Sequence, residues 1–228
     1  LLRLVLSSAA PGSVTIVSVG YATNLLNLLE SAGDSFSRLT GGALVAGRVK
    51  QLVMMGGRHR FHPGDPVEWN LAGATDMVRP PPAAKALHAS RANCAAARCV
   101  PRLAAAGCAV LQANVCSGAC GPDDNLGRIS NRTLALWPHG TRLVFVDFET
   151  GVDVLTGDVL RLGAPESSPC RRAYETFCRV NNGWCHRMSR CSWDIMAVVY
   201  AVRGKEEYYS LEAGHNEVEP QTGHNTWT

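Results

Sequence analysis

The sequence predicts an α/β fold with a mostly parallel sheet flanked by helices. Three observations predict it. "SVTIVSVG" and "VKQLVMMGG" are apolar runs that end in glycine, a helical pattern lies between them, and a third apolar run, "TRLVFVD", follows much later. The runs are continuous rather than alternating, as strands covered on both faces require. Strand, helix, strand in that order reads as a parallel βαβ unit, the building block of Rossmann-like sheets.

Taken in order, "LLRLVLSSAAPG" is an amphipathic stretch leading straight into the first strand, Ser13 to Gly20. In "ATNLLNLLESAG" the apolar residues Leu25, Leu26, Leu28 and Leu29 mark one helical face. Thr23 or Asn24 supplies an N-cap and Gly33 a stop. Val49 to Gly57 is the second strand. "RPPPAAKALHA" starts a helix behind a proline cluster, with Pro82 in its first turn. From about 90 to 133 the chain is rich in Ala, Cys, Gly and Arg without a sustained period, which reads as an irregular surface insertion. Leu143 to Val146 is a strand, and Val152 to Leu160 an extended or turn segment. "SPCRRAYETFCRV" is a helix entered through Ser168 and Pro169. "SWDIMAVVYAVRG" is another, capped by Ser192 and stopped at Gly204. The tail from Tyr208 folds as a short hairpin.

At 228 residues the chain fits one large domain or two small ones and can bury a sizeable core, and the whole of it is read as one domain. Its formal charge of +3 is small and unclustered, so it does not call for nucleic acid as a partner. No run approaches the roughly 20 apolar residues that span a membrane. The chain opens on Leu1 without the charged start of a signal peptide, which is expected of the interior of a longer protein. Nine cysteines fall in two groups, 94–120 and 170–191, and none forms a CxxC pair. Free thiols, buried or at the surface, are the expected state; a zinc site using Cys116 and Cys120 is the alternative. The compartment stays open, with cytoplasm favoured and the N-R-T sequon at Asn131 pointing toward secretion.

Ligands of an open parallel sheet bind outside the carboxyl ends of its strands. Three places follow a strand end or open a helix: Thr23-Asn24, the pair Glu68 and Asn70 beyond Gly56-Gly57, and Asp194. Carboxylates, an amide and a hydroxyl suit Ca²⁺ or a polyhydroxylated substrate. Taken singly, Asp194 and Asn24 also serve as helix caps and Glu68 as a solvated side chain.

"VTIVSVGYATNLLNLL", "VKQLVMMGG" followed by "VEWN", "FVDFETGVDVLTG" and "SWDIMAVVYAVRG" together resemble the inosine-uridine preferring nucleoside hydrolases. The resemblance covers most of 10–90 and 135–228 and leaves the cysteine-rich segment unmatched. It implies the nucleoside hydrolase fold, with the N-terminal part missing, and cleavage of the N-glycosidic bond of ribonucleosides with the help of Ca²⁺. By resemblance Thr23 offers its carbonyl to calcium, and Asp194 ligates calcium and contacts the ribose hydroxyls. Glu68 and Asn70 hydrogen-bond the sugar, and Met55 lines its pocket. An oxocarbenium-like transition state gains from such surroundings.

The sequence departs from the family in three places. The aspartate cluster D-x-D-x-x-x-D-D, source of the general base and most calcium ligands, does not occur, and the base is expected upstream of Leu1. Asp123-Asp124 has the wrong surroundings to replace it. Trp193 stands where many relatives carry a leaving-group histidine, and a stacking role on the nucleobase is expected of it. His62 stands where the family has an asparagine, and it retains the capacity to donate to a ribose hydroxyl. Thr23 and Asp194 supply two calcium donors where about six to eight oxygens are wanted, so weak metal binding and little hydrolysis are expected of this polypeptide alone. The implied partner is a small nucleoside, with homo-oligomers common among relatives. Two other classes compete: a non-catalytic relative that binds nucleosides or protein, and an interaction module organised around Cys94 to Cys120.

Overall fold

A computed structural model describes residues 1–59, 69–72, 108–111, 126–180, 185 and 188–228. The chain begins with α1 (Leu2–Ser8), β1 (Val14–Ser18), α2 (Thr23–Glu30), α3 (Gly41–Arg48) and β2 (Val49–Met55). Then come α4 (Trp69–Ala72), β3 (Cys108–Leu111), α5 (Leu126–Leu136) and β4 (Arg142–Val146). The four strands form one sheet in the order β3-β1-β2-β4, and every neighbouring pair is parallel. The chain is therefore mixed α/β, with a parallel sheet flanked by helices.

The unbroken apolar runs are explained by the two faces of this sheet. Successive side chains of a strand point to opposite faces. Ile16, Leu52 and Met54 face one layer, packing with Leu6 of α1, Leu25 and Leu28 of α2, Leu44 and Val45 of α3, and Leu71 of α4. Val17, Val53, Val144 and Val146 face the other layer, where Ala197 and Tyr200 pack on them. Ile16, Val17, Leu52 and Val53 are each 0% exposed, and burial of such side chains contributes about 1.5–3 kcal/mol apiece.

The remainder is α6 (Phe148–Val152), β5 (Leu155–Thr156), α7 (Asp158–Gly163), α8 (Pro169–Val180), β6 (Arg190–Cys191) and α9 (Trp193–Arg203). A short 3₁₀ turn (Glu206–Tyr208) leads to β7 (Asn216–Val218) and β8 (Asn225–Trp227). β5 and β6 pair antiparallel, and β7 and β8 form the expected C-terminal hairpin. No helix among the described residues is long and apolar enough to cross a membrane.

Several sequence expectations need correction. The segment 90–133 is not uniformly irregular: Cys108–Leu111 is an edge strand of the central sheet, and Leu126 onward is α5. β3 gains its place by pairing with β1, a long-range contact that leaves no local period to read. α5 earns its place by packing, with Ile129 and Leu134 on the core and Ser130 Oγ donating to the Leu71 carbonyl at 2.9 Å. Asn131 lies on this helix with its amide donating to the Val218 carbonyl at 2.8 Å, so its nitrogen is engaged in the fold rather than presented for glycosylation.

Capping differs as well. The N-cap of α2 is the buried Ala22, and Thr23 is the first helical residue, with no side-chain cap. Packing of Ala22 against the core decides that helix start. Ser192 does sit at the N-cap of α9, but its hydroxyl bonds Thr156 Oγ1 at 2.7 Å instead of capping. Gly204 stops α9 at φ +78°, as glycine permits. The stretch Val152 to Leu160 is extended at β5 and helical from Asp158. The amphipathic N-terminus is α1, separated from β1 by a turn.

α3 was not expected, because "GGALVAGR" carries three glycines. Thr40 Oγ1 accepts the Ala43 N–H and caps it. A Cβ at Gly41 would lie 1.6 Å from the Leu28 carbonyl oxygen, so glycine is what lets α3 approach α2. Finally, Cys178 and Cys185 form a disulfide rather than free thiols. Cys170 is a free exposed thiol and Cys191 a free buried one, whose titration burial pushes upward. The helix expected at Pro82 and the Cys116–Cys120 zinc alternative lie outside the described residues.

Candidate functional site at the carboxyl edge

All four strands of the sheet point the same way, so their carboxyl ends share one edge. There β1 leads to α2, β2 leads to Gly56-Gly57, and β4 leads to Asp147 and α6. The direction of α9 follows from two of its side chains. Trp193, at its start, donates its indole N–H to the Phe148 carbonyl at 2.9 Å, just past the end of β4. Tyr200, two turns later, accepts from Arg142 at 3.0 Å, at the beginning of β4. α9 therefore runs antiparallel to the strands and brings Trp193 and Asp194 to the carboxyl edge.

Met55 closes β2 at this edge, 3% exposed, within the same apolar cluster on which Trp193 packs. Asn70 is buried and donates its amide to the Met55 carbonyl at 3.0 Å, with Met55 Sδ 2.9 Å away. That amide ties α4 to the end of β2. Thr23 stands half-buried where α2 leaves β1. Asp194 is exposed in the first turn of α9; desolvation raises its carboxyl pKa, and the Arg190 guanidinium partly offsets this. Met55, Asn70 and Trp193 are thus joined through one cluster, and Asp194 adjoins it through Trp193. Glu68 and His62 lie outside the described residues.

The expected aromatic is already engaged. Trp193 stacks on Phe148 with centroids 5.2 Å apart, and the Arg58 guanidinium lies 3.9 Å over the Phe148 ring. A Cβ at Gly151 would come within 2.6 Å of the Trp193 ring, so that side of the indole is closely covered too. The three-tier stack of Arg58, Phe148 and Trp193 combines cation–π and aromatic contacts.

Sequence reasoning missed the polar group around this stack. Glu149 accepts from Arg58 Nη1 at 3.4 Å and from the His59 N–H at 3.1 Å. His59 Nε2 is 3.1 Å from the Glu212 carboxylate. Asn225 clamps the Arg58 backbone from the C-terminal hairpin. The same carboxyl-end rule that singled out Glu68 and Asp194 applies to "GGRH" after β2 and "DFET" after β4. It carries a signal for Arg58 and Glu149, though none for partners on the distant hairpin.

Thr23 and Asp194 offer two oxygens against about six to eight for calcium, and no group of three or more His, Cys, Asp or Glu that could hold a metal occurs among the described residues. The guanidinium of Arg58 already occupies part of this edge with positive charge. No protein-family profile, no curated protein and no solved structure matches this chain.

Proposed function

We propose that this is a nucleoside hydrolase-like domain that holds a ribonucleoside at the carboxyl edge for cleavage of its N-glycosidic bond. The observation that supports the reading is the antiparallel course of α9, which brings Asp194 to the edge where Met55 and Asn70 close β2. In the proposal, the Asp194 carboxyl, shifted up by desolvation, hydrogen-bonds the ribose diol and offsets positive charge developing on the sugar. Asn70 acts by fixing the Met55 end of the strand. In the proposal, the stack of Arg58, Phe148 and Trp193 holds the start of α9, and with it Asp194, at this edge.

A second reading is binding without hydrolysis: among the described residues, no group of three or more His, Cys, Asp or Glu that could hold a metal ion occurs. One set of measurements separates the two: titration of inosine and uridine into the protein, and release of free base with calcium and with chelator. Base release that the chelator abolishes supports the hydrolase. Saturable binding without release supports the binding module. Absence of both overturns the proposal.

A further inference from the structure

The sheet's opposite edge carries a feature that the carboxyl-edge site does not use. A cavity of about 340 Å³ opens at the amino ends of β2 and β4, against the end of α9. Its lining includes Lys50 and Gln51 from β2, Arg142 from β4, Tyr200 and Arg203 from α9, and Lys205 just beyond. Four of these six are cations, and no carboxylate lines the cavity. Lys50, Arg203 and Lys205 make no ion pair among the described residues.

The cavity has a constructed floor as well as a charged rim. Gln51 is 8% exposed, yet its amide is not among the buried polar atoms left without a partner, so it opens into the cavity rather than being sealed in the core. The register sets Gln51 directly opposite Arg142, and Arg142 Nη2 donates to the Tyr200 hydroxyl at 3.0 Å. That bond orients the guanidinium and uses the hydroxyl as acceptor, leaving the phenol proton to donate. Tyr200 is itself 3% exposed and held edge-on by Tyr209, with ring centroids 5.3 Å apart.

We propose that this cavity binds a phosphate-bearing small molecule, with Arg142, Arg203, Lys50 and Lys205 neutralising the phosphate and the Gln51 amide donating to it. Two guanidinium groups suit the bidentate geometry of phosphate oxygens. The C-terminus of α9 opposes an anion with about half a negative charge, which four formal positive charges outweigh. The size suits a small ligand rather than a nucleic-acid strand, which needs an extended groove with stacking platforms. This inference stands apart from the nucleoside reading, because it uses the other edge of the sheet.

Pyrophosphate is the probe, titrated calorimetrically into the whole chain, the double variant Arg203→Gln/Lys205→Gln, Gln51→Leu and Asp194→Asn. The expected result is saturable one-site binding, weakened about tenfold or more by the double variant and several-fold by Gln51→Leu, with Asp194→Asn unchanged. Absence of saturable binding overturns the proposal, as does binding that the double variant leaves intact. Binding that ignores Gln51→Leu and disappears at about 0.15 M salt is unspecific attraction to a basic surface and also overturns it. The exposed positions of Arg203 and Lys205 keep the test informative even if Gln51→Leu unfolds.

Discussion

Asn225 holds Arg58 by its backbone across 167 residues of sequence: its Oδ1 accepts the Arg58 N–H at 2.9 Å, and its Nδ2 donates to the Arg58 carbonyl at 2.9 Å. The same Nδ2 donates to Asn216 Oδ1 at 2.9 Å, so both strands of the hairpin join the grip. This clamp positions Arg58 over Phe148 and shapes the carboxyl edge. It also explains Gly57, whose φ is +82° and where a Cβ would meet the two asparagine side chains at 3.2–3.3 Å.

Breaking the clamp has a predictable cost. Asn225→Ala leaves buried backbone groups of Arg58 without partners and should destabilise the fold by about 2–4 kcal/mol. Gly57→Ala, forced into a left-handed conformation, should cost about 1–3 kcal/mol. Urea midpoints of the two variants and of the double variant measure this. The double variant should fall short of the sum, because both changes disturb one contact.

Asp194 should behave as a functional rather than a structural residue. Its carboxyl pKa is raised from 3.8 by desolvation, so the folded chain holds its proton more tightly than the unfolded chain. Stability from this group is present below pH 3.8 and declines as pH rises through its folded value. Asp194→Asn removes that loss. At neutral pH the variant should melt no lower than the parent while losing inosine binding. A clear drop in melting temperature would refute this assignment of Asp194.

Arg3 and Asp34 make the opposite case. The Arg3 hydrogen bond, against a smaller opposing desolvation, holds the Asp34 carboxyl at about 2 instead of 3.8. Arg3 Nε donates to Asp34 at 2.6 Å while its Nη2 also reaches the Ser37 and Leu39 carbonyls, joining α1 to the loop before α3. A depressed acid contributes stability present above its unfolded pKa, and that contribution is lost as pH falls from about 4 through about 2. A carboxyl NMR titration of Asp34 should show a midpoint near 2, and Arg3→Gln should return it toward the ordinary value.

The described cysteines divide into a bond and two free thiols of unlike reactivity. Replacing Cys178 and Cys185 by alanine should lower stability by about 2–3 kcal/mol, the loop-closure value for a short bridge. Under native conditions a thiol reagent should label Cys170, which is exposed, and spare Cys191, which is buried with its thiol pKa raised. Peptide mass spectrometry reads both outcomes.

Elements with a strong local signal were legible. β1, β2 and β4 are mostly apolar runs, α8 follows Ser168 and Pro169, and α9 stops at Gly204, each within a residue or two of its expected bounds. α3 and β3 were not legible. Glycine-rich α3 depends on how closely α2 can be approached at Leu28, and β3 on pairing with β1 from about 90 residues away. The candidate site shows the same division. Asp194, Asn70 and Met55 stand next to strand ends and helix starts, where the sequence announces them. The pairings of Arg58 with Glu149, Phe148 and Asn225 join segments up to 167 residues apart, and no local pattern encodes them.

By itself, then, the sequence determined the class of the fold: hydrophobic periodicity and glycine stops act over a few residues and specify strands, helices and their ends. Tertiary structure alone decided which edge receives Asp194, that the Trp193 indole is spent on Phe148, and that four cations gather at the opposite edge. Those outcomes depend on the direction of α9 and on contacts between distant segments, whose energies exist only once the chain has closed on itself.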